Sequence, residues 1–66
     1  MIEYKRPQDL RISVVDNHIV RGYMKRIESG ETIDPCKIIG ERVKDGNHRA
    51  AAFKLLGRNV PCENLR

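Results

Sequence analysis

The residues of this chain best suited to chemistry are consecutive, at positions 46–49. Gly46 permits a tight backbone turn and Asn47 is a residue type that caps helices, so we predict that a helix begins here. The first backbone N–H groups of a helix have no partner within it and attract anions. His48 and Arg49 add basic side chains to this first turn, where positive charge opposes the helix dipole. Because a bound phosphate would remove that conflict, the pattern predicts a phosphate site at these four residues.

The same spacing also has a purely structural interpretation. Asp45 precedes Arg49 by four residues, so the two side chains can pair with each other, and His48 is then an exposed residue of the first helical turn. The segment lacks the G-x-G-x-x-G and Walker patterns that identify phosphate loops more specifically. Residue types alone therefore leave phosphate binding and structural pairing both open.

Two carboxylates near this turn, Glu41 and Asp45, are the candidate catalytic residues. Either could hold Mg²⁺ or act as a general base, although acids in such positions more often belong to turns and surfaces. The cysteines, Cys36 and Cys62, do not form a Cys-x-x-Cys motif and do not combine with the histidines into a zinc pattern, so we predict no metal site. We expect both thiols to be reduced, to lie on strands and to be dispensable for activity, with a disulfide or redox pair as the alternative.

The elements that must position these residues follow from hydrophobic periodicity and turn residues. The first ten residues are irregular or a short edge strand. The pattern then predicts a strand at 11–15, a helix between caps at 16–17 and 29–30, hairpin strands at 36–39 and 42–44, a helix from 48 to 56, and an edge strand at 60–63. This order, β-α-β-β-α-β, predicts a small α+β domain.

The length of 66 residues limits the chain to one domain, spanning 1–66. A domain of roughly 60 residues buries only about 60% of the surface of its unfolded chain, which leaves no room for a deep catalytic chamber and argues against enzymes of large substrates. We expect the second helix to pack Ala52, Leu55 and Leu56 against the hairpin and the first helix, because so small a chain has no other core available.

The charge balance favours anionic partners. Thirteen Lys and Arg residues against nine Asp and Glu residues give a net charge of +4. Nucleotides, nucleic-acid phosphates and acidic protein surfaces are the partners that such a balance favours. No apolar run is long enough to span a bilayer, and the first residues lack the apolar stretch of a secretory signal, so we predict a cytoplasmic protein with no membrane partner.

The order of these motifs resembles the ParB/sulfiredoxin-like domain. That family combines a glycine, a proline-led strand, a hairpin, Asp-Gly-x-His-Arg, an alanine-rich helix, a second glycine and Val-Pro. Here the corresponding residues are Gly30, Pro35, the segment 43–52, Gly57 and the pair at 60–61. The resemblance covers most of the chain from about Asn17 onward, and it implies the fold of that family.

The resemblance also implies nucleotide ligands. In the family, the loop equivalent to 46–49 holds the phosphates of CTP, ATP or ADP, and Mg²⁺ is the metal ion that can bind with them. By position, Gly46 would give the close approach, Asn47 the helix cap, and His48 and Arg49 the phosphate contacts.

Departures from the family pattern limit what can be carried over. Sulfiredoxins have their catalytic cysteine where this chain has Asn47, so sulfinic acid reduction is not expected. ParB proteins have a second arginine where this chain has Ala51.

Three function classes follow. The first is a small phosphate- or nucleotide-binding regulator associated with DNA or a mobile element. The second is a protein-interaction module of inhibitor type that keeps the fold without a nucleotide. The third is a ParB-like nuclease or phosphotransferase, and we favour a role without catalysis.

Overall fold

The computed structural model describes all residues, 1–66, and shows two helices covering a four-stranded sheet. The elements in chain order are β1 (Ile2–Lys5), a single 3-10 turn (Pro7–Asp9), α1 (Asn17–Glu28), β2 (Cys36–Ile39), β3 (Arg42–Asp45), α2 (Asn47–Leu55) and β4 (Val60–Asn64). This is the α+β domain with the β-α-β-β-α-β order that the residue pattern predicts. Neither helix combines the length and apolar character needed to cross a membrane.

The first strand is not where the sequence pattern places it. Residues 11–15 alternate in polarity but form a loop, with a single bridge between Arg11 and Arg42. The strand is instead β1, which lies within the first ten residues. For these residues the pattern predicts either irregular structure or a short edge strand. β1 pairs antiparallel with β4. Alternation alone was therefore misleading, because a strand also needs a neighbour with free backbone groups.

The last strand lies inside the sheet rather than at its edge. The strand order is β1-β4-β2-β3, so β4 pairs antiparallel with β1 and parallel with β2. Pro61 lies opposite Tyr4 of β1. The pairing of β4 with β2 begins one residue later, at Cys62. The prediction of an edge strand at 60–63 is wrong in this respect.

Local signals correctly located both ends of α1 and the end of α2 to within a residue. Asp16 caps α1, because its side chain accepts a hydrogen bond from the amide of His18 at 2.8 Å. Ser29 ends α1, and Gly57, with φ of 68°, follows α2. The hairpin turn at Gly40 also forms as predicted, with a register shift between Lys37 and Ile38.

The core lies between the inner sheet face and the helices. Its buried residues are Leu10, Val20, Ile27, Cys36, Ile38, Val43, Ala50, Ala51, Ala52, Phe53, Val60 and Cys62. Ala52 faces this core as predicted and Leu56 packs at its margin, but Leu55 is 64% exposed. Phe53 takes the buried place expected of Leu55.

Candidate phosphate-binding site

The candidate site is built at the junction of β3 and α2. The strand ends at Asp45 and the helix begins two residues later, at Asn47. The connecting Gly46 is the N-cap of α2 and has the left-handed backbone conformation, with φ of 90° and ψ of 29°. Glycine adopts this conformation at little cost, which allows the chain to turn from strand to helix in one residue.

The backbone N–H groups of the first helical turn are free of protein acceptors. The first hydrogen bond of α2 runs from the amide of Ala50 to the carbonyl of Gly46, at 2.9 Å. The amides of Asn47, His48 and Arg49 donate to no protein group. Three unused donors at the positive end of the helix dipole favour an anion.

The side chain of Arg49 folds back over Gly46. A Cβ atom added to this glycine would come within 2.6 Å of Nη2 of Arg49, so only glycine leaves room for the guanidinium there. The side chain is 16% exposed, and its Nη2 lies 3.6 Å from Oδ2 of Asp45, which is 69% exposed. That distance allows charge attraction but is too long for a good hydrogen bond. The pairing that the sequence left open therefore exists, as a charge attraction without a hydrogen bond to Asp45.

These groups surround a recess of about 260 Å³ that is lined by Tyr23, Asp45, Gly46, His48 and Arg49. The structure thus brings four of the predicted residues to one concave surface. Tyr23, which comes from α1, was missed as a site residue. Its helical spacing with Ile19 and Ile27 indicated only a buried helix face, and nothing in the sequence relates α1 to the start of α2.

Asn47 and His48 hold the loop formed by residues 11–16. The amide of Ser13 donates to Oδ1 of Asn47 at 2.9 Å, and the amide of Asp16 donates to Nε2 of His48 at 3.1 Å. Asn47 is therefore the first residue of α2 and not its cap, which corrects the sequence prediction. Nε2 of His48 accepts this hydrogen bond, so Nδ1 is the ring nitrogen without a protein partner.

Cys36 lies directly beneath the site. Its thiol is fully buried and donates to the carbonyl of Gly46 at 3.2 Å. Burial raises the pKa of Cys36 to about 11, and this effect outweighs the opposing influence of the nearby Arg49 guanidinium. Both cysteines lie on strands, as expected, and burial also raises the pKa of Cys62. Nothing in the residue pattern indicates that Cys36 contacts the start of α2.

Glu41 stands apart from the other candidates. It lies in the hairpin turn before β3, whereas Asp45 is the last residue of that strand. Four residues of extended strand separate the two by roughly 13 Å, so the two carboxylates do not share one ion. No group of three or more His, Cys, Asp or Glu side chains is placed to hold a metal.

Comparison with known proteins identifies the architecture. No family model matches the sequence, and no curated protein is significantly similar to it. Among solved structures, the crystal structure of sulfiredoxin from Arabidopsis thaliana matches with a TM-score of 0.83, over 100% of this chain and 85% of that chain. This chain has the sulfiredoxin fold. The two sequences are 22% identical, so the likeness extends to the fold, and the expected ParB/sulfiredoxin-like architecture is confirmed.

Proposed function

We propose that this domain is a small nucleotide-binding module that holds phosphate groups at the start of α2 and acts as a regulator. The observation that carries the proposal is the position of Arg49, whose largely buried guanidinium lies across Gly46 and beside three unused backbone donors. A phosphate in the recess would accept from the backbone amides and from the guanidinium together. Charge-assisted hydrogen bonds of this kind are the stronger ones in proteins.

A second recess favours a nucleotide over inorganic phosphate. It has a volume of about 290 Å³, and it is lined by Ile19, Gly22, Tyr23 and Arg26. Tyr23 lines both recesses, so the polar one and this less polar one adjoin on the surface. A Cβ atom at Gly22 would meet nothing within 4 Å, so neither packing nor the backbone requires a glycine there. The open space suits a flat ring attached to the phosphate.

The arrangement supports a binding role more than catalysis. Asp45 faces the guanidinium of Arg49, and Glu41 lies at the far end of β3. The reactive form of a cysteine is the thiolate. Because the pKa of Cys36 is about 11, little thiolate forms near neutral pH, and the buried thiol is a poor nucleophile. A nuclease or phosphotransferase would need a base and a metal that these residues do not bring together. An association with DNA is part of the proposal, and the net charge of +4 supports it.

The test measures the thermal stability of the protein with CTP, ATP, ADP and inorganic phosphate, each with and without Mg²⁺. At a nucleotide concentration of about 100 times Kd, binding adds about 2.7 kcal/mol to the free energy of unfolding, which raises Tm measurably. Arg49→Ala should weaken nucleotide binding by roughly ten- to a hundredfold. Without ligand, this variant should keep its stability within about 1 kcal/mol, because the ion pair that it loses involves an exposed carboxylate.

Arg58→Ala is the matched control, since it removes the same charge from an exposed position after α2. It should respond to nucleotide as the wild type does. A wild type that no nucleotide stabilises, or an Arg49→Ala variant that responds fully, would refute the proposed site. If Arg49→Ala is less stable than the wild type and no nucleotide stabilises the wild type, the role of this arginine is its pairing with Asp45.

A further inference from the structure

The net positive charge of the chain lies on its two helices. They carry five basic residues against one acidic residue: Arg21, Lys25, Arg26, Arg49 and Lys54 against Glu28. The remaining residues include eight basic and eight acidic side chains, so the sheet and the loops are balanced. Two of these basic residues are paired with acidic ones, Arg26 with Glu31 and Arg49 with Asp45. The other three leave the helical layer positive, so it attracts acidic partners.

This layer contains an apolar groove on the side of α1 away from the candidate phosphate site. The groove has a volume of about 480 Å³, and it is lined by Asn17, Val20, Arg21, Met24 and Leu55. It shares no residue with the recess at Arg49. Leu55 is 64% exposed at its wall, and Val20 lies buried at its base. An exposed leucine of this kind has no packing role within the domain.

Basic residues border the groove, and no acidic residue lines it. Arg21 is part of the wall, and Lys25 follows it one helical turn later on α1, whereas Lys54 lines a different recess. Glu28, the one acidic residue of the helices, is the last residue of α1. The groove thus combines an apolar lining with a positive border.

We propose that this groove binds an acidic amphipathic helix of another protein. Apolar side chains spaced i, i+3 or i+4, and i+7 would lie against Leu55, Met24 and Val20, and acidic side chains would face the basic border. A second copy of this chain is a poor occupant, because its helices carry the same charge. A nucleic acid would match the charge but has no aliphatic side chains for the apolar lining. This proposal is independent of nucleotide binding, since the two surfaces are separate.

The test is a selection from a displayed library of random peptides of about 16 residues, long enough for roughly four helical turns. The selected peptides should be acidic with apolar residues at helical spacing. A synthetic peptide of the selected sequence should bind the whole domain in a fluorescence polarisation assay. Leu55→Ala and Arg21→Glu should each weaken that binding about tenfold.

Leu65→Ala and Arg42→Glu are the matched controls, because these exposed residues belong to the end of the chain and to β3. They should leave the affinity within about twofold. Selected peptides without acidic residues, or binding that Leu55→Ala does not change, would overturn the proposal, as would a selection that enriches nothing. A single-stranded oligonucleotide that binds and is lost on Arg21→Glu, in place of any peptide, would assign the groove to nucleic acid and overturn it as well.

Discussion

Gly46 shows how one residue serves both backbone and site. Its left-handed conformation lets β3 run directly into α2, and its missing side chain leaves the space that Arg49 fills. Three other glycines, Gly30, Gly40 and Gly57, also have positive φ but have nothing within 4 Å of an added Cβ. Backbone strain and displacement of the guanidinium can therefore be separated by comparing alanine substitutions.

Gly46→Ala and Gly57→Ala should lose similar stability, about 1 kcal/mol or somewhat more, because both force an alanine into the left-handed region. Only Gly46→Ala should also lose the response to nucleotide, because its Cβ pushes the flexible end of Arg49 away. Chemical denaturation and nucleotide titration of both variants make the comparison. Equal nucleotide affinity in the two would show that the position of the guanidinium does not matter.

Cys36 predicts a pH dependence of stability. The pKa of its thiol is raised from 9.0 to about 11, so the folded chain holds the thiol proton more tightly than the unfolded chain. The stabilisation is complete below pH 9.0 and is lost as the pH rises towards 11. The free energy of unfolding should therefore fall by at most about 1.4 kcal/mol per pH unit from this group.

The comparison is with Cys36→Ala, whose free energy of unfolding should fall less steeply over the same pH range. All other titratable groups are the same in both proteins, so the difference between the slopes belongs to Cys36. Identical slopes would show that the thiol is not protected by the fold. Cys36→Ala is also expected to start from a lower stability, because it leaves a small cavity in the core.

At the scale of elements, α2 buries a wider face than expected, and Leu55 is outside it. Its buried residues are consecutive, from Ala50 to Phe53, because the helix is enclosed by α1 on one side and the sheet on the other. A helix covered on two sides has no single apolar stripe, so its periodicity is weak. Spacing arguments then failed to separate the buried Phe53 from the exposed Leu55.

Alanine substitutions along α2 should follow this burial. Phe53→Ala should cost about 3 to 5 kcal/mol and unfold so small a domain. Leu55→Ala should change stability by no more than about 0.5 kcal/mol, and the half-buried Leu56 should give an intermediate loss. Thermal denaturation followed by circular dichroism ranks the three. A large loss of stability for Leu55→Ala would mean that α2 is rotated about its axis and that Leu55 faces the core.

At the scale of the whole molecule, β4 joins the two halves of the sheet. It pairs with β1 on one side and with β2 on the other, and two of its residues, Val60 and Cys62, are completely buried. β1 lies at the edge, and most of its residues are exposed. The last strand in sequence is therefore central to stability, and the first is peripheral.

Deleting residues 60–66 should abolish the fold, because β1 loses its partner and the buried residues of β2 lose their neighbours. Deleting residues 1–5 should leave a folded three-stranded domain of lower Tm. Far-ultraviolet circular dichroism and the amide region of the NMR spectrum of each variant distinguish the two outcomes. A folded protein without 60–66 would contradict the central position of β4.

Local chemistry in the sequence was sufficient to locate the candidate site. The glycine before a polar, basic helix start predicted the turn at Gly46. Three of the four residues at 46–49 line one recess, whereas Asn47 binds the neighbouring loop instead. Both helices and the hairpin could also be predicted from the sequence, because caps, turns and helical periodicity depend on residues that are close together in the chain.

The tertiary structure decided the features that depend on distant pairing. Residues 11–15 look like a strand, but Asn47 and His48 bind this segment as a loop against α2. The position of β4 inside the sheet, the thiol of Cys36 beneath Gly46 and the approach of Tyr23 to the site depend on which elements become neighbours. Hydrogen-bond partners across a sheet and contacts between layers are chosen by the packing of the whole chain, and no short stretch of residues carries that information.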